Sequence, residues 1–122
     1  MKNIYDLLKF KLDSECADYE FEIIPIPPYE MLVNNLSLEP YEYFGKDDKI
    51  MGRKTKQIIL YYNCDILMKV IISFTGEILD ELISEISSSG LGLPGNINLK
   101  LWYDQERNMT IIEYQMKILG KL

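Results

Sequence analysis

The sequence predicts an α+β fold, a mixed or antiparallel sheet with helices packed on one face. Three observations carry this. Residues 57–62 and 66–74 are apolar, β-branched runs joined by the polar link Asn63-Cys64-Asp65. Residues 78–86 carry an apolar stripe at helical spacing, Ile78, Leu79, Leu82, Ile83 and Ile86. Residues 97–103 and 112–118 alternate apolar with polar around the polar turn 104–108. The expected order is helix, strand, irregular arm, β-hairpin, helix, β-hairpin, in a single domain over residues 1–122.

The first helix is placed at residues 3–15, with Asn3 as cap and Asp6 in its first turn, where negative charge suits the helix dipole. Ile4, Leu7, Leu8 and Leu12 form its apolar stripe. Tyr5 and Phe10 fall off the stripe, and either extend the core or face a partner. Tyr19–Ile24 alternates as a half-buried strand and is stopped by Pro25, Pro27 and Pro28. Residues 25–56 read as a long irregular arm or loop, with a short element near Met31–Leu36. The arm either orders against another subunit or wraps its own core.

The central hairpin is apolar on both faces of its strands. Ile66, Met68, Val70, Ile72 and Phe74 form one face of the second strand, and Leu67, Lys69, Ile71 and Ser73 the other. Such strands lie centrally in a sheet, or one of their faces meets another subunit. The helix after them is expected from Gly76, capped by Thr75, with Glu77 in its first turn. Its polar side, Glu77, Asp80, Glu81, Ser84 and Glu85, holds no basic residue. The Ser87–Asn96 stretch stops the helix. Its glycines follow a helix and lead into a strand, the wrong context for a phosphate loop. In the last hairpin Trp102 falls on the polar side with Asn98 and Lys100, as an interface anchor or as cover under the arm.

Composition narrows the chemistry. The chain has 122 residues, a net charge of -6 and no histidine. The acidic balance argues against broad nucleic-acid binding, which needs a basic face to displace counterions. Without histidine, Ser-His-Asp and Cys-His mechanisms are excluded. Asp13, Glu15, Asp18, Glu20 and Glu22 form an acidic cluster, but the glycine and closing glutamate of an EF-hand loop are missing. Cys16 and Cys64 form no C-x-x-C motif, and read as reduced thiols or as one disulfide. No enzyme activity, cofactor or metal is expected. The N-terminus lacks the continuous apolar run of a signal peptide, and no run approaches the roughly 18 apolar residues of a membrane span. An intracellular protein is expected. Lys49, Arg53, Lys54 and Lys56 are its one basic concentration.

Size and element order resemble the tail-terminator (neck) proteins of tailed bacteriophages and phage-tail-like bacteriocins. The likeness rests on the helix Ile4–Leu12 followed by Tyr19-Glu20-Phe21-Glu22-Ile23, on the hairpin-to-helix unit Gln57–Ser88, and on the closing hairpin Ile97–Leu119. It is a likeness of layout and includes no diagnostic motif. It implies a non-enzymatic subunit of a homohexameric ring that caps the tail tube and ends its growth. The implied partners are further copies of the chain, the tail-tube protein, and sheath or neck proteins. The protein would be cytoplasmic during assembly and then part of the virion or tail-like particle. Arg53, Lys54 and Lys56 against Glu77, Asp80 and Glu81, with Trp102, are the candidate subunit contacts. The rival reading is a small acidic intracellular binding module, such as an immunity or antitoxin-like protein.

Overall fold

The computed structural model describes residues 4–120. In chain order its strands are β1 (Ile23–Pro25), β2 (Met31–Val33), β3 (Leu36–Tyr43), β4 (Lys49–Ile50), β5 (Arg53–Lys54), β6 (Gln57–Asn63), β7 (Ile66–Thr75), β8 (Ile97–Asp104) and β9 (Met109–Met116). The α-helices are α1 (Tyr5–Leu8) and α2 (Leu79–Ser89). The fold is α+β. A seven-stranded sheet runs β1-β3-β6-β7-β9-β8, with β2 also paired to β3, and β4 and β5 form a separate ribbon. Every pairing is antiparallel.

The hairpin β6–β7 sits in the middle of the sheet, as its two-faced apolarity predicts. Its link is a two-residue turn. Cys64 and Asp65 both take positive φ, +48° and +70°, the turn whose twist matches the flanking strands. Ile58, Leu60 and Tyr62 of β6 align with Val70, Ile72 and Phe74 of β7 and with Ile112 and Tyr114 of β9 in the main core. A bulge at Tyr61/Tyr62 alters the expected pattern. Leu67 joins the main core, whereas Met68 packs with Leu38 and Leu119 in a second, smaller cluster. Ile66 and Met68 therefore leave the face of Val70, Ile72 and Phe74.

The N-terminal segment departs most from expectation, although Asn3 itself lies outside the described residues. α1 has four residues and ends where Lys9 turns to φ +72°. From there the chain is extended, and Leu8, Phe10 and Leu12 are buried while Lys9, Lys11 and Asp13 are exposed. Residues 13–16 pair with the start of β7, through Asp13 N–H to the Leu67 carbonyl and Leu67 N–H to the Ser14 carbonyl. Phe10 extends the core: its ring lies 4.9 Å from Tyr43 and 5.4 Å from Tyr19. A 3-10 turn at Cys16–Tyr19 replaces the first part of the expected strand, which shortens to β1 and leaves Phe21 86% exposed.

Residues 25–56 are not an irregular arm, because they contain β2, β3, β4 and β5. β3 has eight residues and pairs along Glu39–Glu42 with β6. Pro40 is tolerated there for a local reason. Its carbonyl accepts from Ile26 N–H on the side away from β6, so the missing proline N–H also faces outward, beyond the end of β1. Asn34 and Asn35, both at positive φ, make the two-residue turn from β2 to β3.

α2 starts at Leu79, later than expected. Thr75 ends β7, and Gly76 takes φ +92° and turns the chain away. Glu77 then precedes the helix, and the acids of its first turn are Asp80 and Glu81. The cap comes from β9: the buried Thr110 hydroxyl accepts from Ile78 N–H at 2.9 Å and donates to the Gly76 carbonyl at 2.7 Å. Leu82 is the buried anchor of α2 in the main core, and Ile78 and Ile86 pack beside it. Gly90, at φ +66°, ends the helix. In the last strand the alternation stops at Met116, so Ile118 falls in a 3-10 turn and is exposed.

Candidate protein-contact surface

The main core holds residues of α1, the segment 9–12, the β4–β5 ribbon and α2, so all of these lie on one face of the sheet. The other face has cover at one end only, where Leu119 of the C-terminal 3-10 turn and the hairpin β2–β3 close over Leu38 and Met68. Over the remainder, among the described residues, no helix lies.

Strand register defines what this open face presents. One row across the sheet reads Ile24, Glu42, Ile59, Ile71, Glu113 and Lys100. The next reads Gln57, Ser73, Ile111 and Trp102, and a third Pro40, Tyr61, Lys69, Gln115 and Asn98. Ile59, Ile71 and Trp102 are half-buried and Ile24 is 50% exposed, whereas Ser73 and Ile111 in the second row are buried. Two lysines on the face have close neighbours, and Glu42 makes no ion pair among the described residues. Lys69 Nζ lies 3.9 Å from Glu113 and 5.2 Å from the Tyr61 ring, and Lys100 Nζ lies 4.9 Å from the Trp102 ring. The apolar residues between these charges suit contact with protein.

The sequence-derived contact residues fall in three places. Trp102 lies on the open face near its β8 end, across the sheet from residues 25–43. Arg53 lies on the covered side, in β5, and reaches Glu85 at 2.9 Å and Glu81 at 3.8 Å. The opposite charges expected to meet between subunits thus meet inside one chain. Lys54 reaches Asp48 at 3.8 Å, and Lys56, Glu77 and Asp80 are exposed. Ile59 and Ile71 were not singled out by sequence as contact residues. Their signal was the second apolar face of each strand.

A depression of about 440 Å³ is lined by Glu15, Cys16, Glu20, Cys64 and Asp65. Both cysteines are free thiols. Burial, and then the charges of Asp65, Glu20 and Glu39, push the Cys16 thiol above its ordinary value, the opposite of what activates a nucleophilic cysteine. Among the described residues no group of three acidic or cysteine side chains is arranged to hold a metal, and no helix is long and apolar enough to cross a membrane. Comparison with family models, curated proteins and solved structures gave no match.

Proposed function

We propose that this chain is a non-enzymatic structural subunit that works by protein–protein contact, as a ring-forming subunit of the tail-terminator type. One observation carries the reading: the open sheet face, with Ile24, Ile59, Ile71 and Trp102 accessible across it and no covering helix among the described residues. A ring requires head-to-tail contact, one patch against a different patch on the neighbour. In this reading the open face is one of the two, and the ring caps a tail tube. Full-length protein should form a closed ring by light scattering and negative-stain microscopy. Ile71→Glu should leave the fold intact and break the ring, because it buries an unpaired charge in the contact. Wild-type protein that shows no species above a dimer at high concentration would sink the reading.

A second reading, the small acidic binding module, is favoured by the Arg53 contacts with Glu81 and Glu85. That pairing uses up, within one chain, the basic site expected to meet the acidic helix of a neighbour. Such a module would form a 1:1 complex with a basic protein, and Ile71→Glu would then cost affinity for that protein while leaving self-association unchanged.

A further inference from the structure

We propose that the outer edge of β8 pairs with the same edge of a second copy of this chain, antiparallel about a two-fold axis at Leu101. β8 ends the sheet, and among the described residues no strand lies beyond it. Which of its backbone groups are free follows from the ladder. Ile97 stands against Met116, so Asn96 stands against Lys117, and Lys117 N–H donates to the Asn96 carbonyl. Bonded and non-bonded pairs alternate along an antiparallel ladder. The even-numbered residues of β8 therefore bond to β9, and the N–H and C=O groups of Leu99, Leu101 and Tyr103 point outward.

The two ends of the sheet differ. At the far end, β1 and β2 have three residues each, and Pro25, Pro27 and Pro28 interrupt the chain there. Natural sheets blunt an edge in this way. β8 has eight residues and no proline. A sheet with one open edge cannot extend head to tail, but it can close on a copy of itself through an isologous contact.

Side-chain chemistry then decides between the two registers that centre the pairing on β8. Opposed residues must share a face, so the axis passes through a residue rather than between two. An axis at Lys100 sets two ammonium groups against each other, which is unfavourable. An axis at Leu101 sets Lys100 against Trp102 of the second copy, Asn98 against Asp104, and Leu99 against Tyr103. Lys100 already rests against the Trp102 ring of its own chain, so a cation–π contact across the axis uses a pairing that the strand forms. The three outward-facing residues of each copy would exchange about six backbone hydrogen bonds.

This contact is separate from the head-to-tail ring contact, and amide hydrogen exchange on full-length protein distinguishes the two. The amides of Leu99, Leu101 and Tyr103 should exchange at least about tenfold more slowly in concentrated than in dilute protein, as expected for a backbone that is bonded only in the complex. Leu101→Pro removes an N–H that makes no bond to β9, so it should keep the fold and abolish the two-fold species. Lys100→Gln, which leaves the backbone unchanged and sets no second carboxylate against Glu113, should weaken the pairing by at least about tenfold, and it decides the matter if Leu101→Pro fails to fold. Rapid exchange at all three amides at every concentration overturns the proposal, even where a ring forms. Concentration-dependent protection in a protein that never exceeds a dimer upholds it and removes the ring.

Discussion

Tyr62 and Tyr114 are both buried tyrosines of the main core, yet their hydroxyls differ. Tyr114 donates to the Phe10 carbonyl and so ties the extended N-terminal segment to β9. The Tyr62 hydroxyl is buried with no hydrogen-bond partner among the described residues. An unpaired buried donor costs about 1–3 kcal/mol of desolvation, whereas a paired one contributes about 0.5–1.5 kcal/mol net. Tyr62→Phe should therefore leave stability unchanged or raise it by up to about 1 kcal/mol, and Tyr114→Phe should lower it by about 1–2 kcal/mol. Urea unfolding of the two variants checks this, and equal losses for both would contradict it. Residue types also show what could be read in advance. Leu8-Lys9-Phe10-Lys11-Leu12-Asp13 alternates strictly, which is a strand period, but Ile4, Leu7 and Leu8 before it fit a helix. A helical stripe drawn through Leu12 hid the change of period at Lys9, where the structure turns to positive φ.

At the scale of elements, the sequence was legible wherever local signals decided the outcome. β6, β7, β8 and β9 appear where alternation or β-branched runs placed them, and α2 carries the expected apolar stripe. The start of α2 was not legible, because its cap comes from a residue distant in sequence. Thr110 sits in β9, and nothing between Thr75 and Ile78 announces it. β3 was hidden for a related reason: Pro40 argues against an internal strand until the neighbouring β1 is known to end before reaching it. The open face was legible only as an excess of apolar positions, since register decides which of them share a surface. The cap supports a direct prediction. Thr110→Val keeps the volume but leaves Ile78 N–H and the Gly76 carbonyl without their partner. It should cost about 1–3 kcal/mol, with the slope of denaturant unfolding unchanged. Its amide exchange should rise first in α2, because the cap joins that helix to β9. A loss spread evenly over the sheet, with α2 unaffected, would show that Thr110 does not hold the helix start.

The molecule as a whole places several tyrosines against one another beneath α1 and the extended N-terminal segment, and that arrangement sets its response to alkali. Burial pushes Tyr43 up to about 12, with Glu22 adding to the rise and the Asp47 N–H partly offsetting it. Burial also pushes Tyr62 and Tyr114 well above their ordinary value of 10.0. A raised tyrosine keeps its proton in the folded state after the unfolded chain has lost it. From about pH 10 upward the folded state thus binds more protons, and by linkage the free energy of unfolding must fall as pH rises. Below that pH these groups contribute their full stabilisation, so they produce no slope near neutrality. Two measurements should move together. Denaturant unfolding should give a stability that declines above about pH 10. Phenolate absorbance from Tyr43, Tyr62 and Tyr114 should appear only well above about pH 10, as circular dichroism reports loss of the sheet. If Tyr43, Tyr62 and Tyr114 titrate near their ordinary value while the sheet persists, the aromatic cluster is open to water, and the packing of the N-terminal segment against Tyr43 and Tyr114 is wrong.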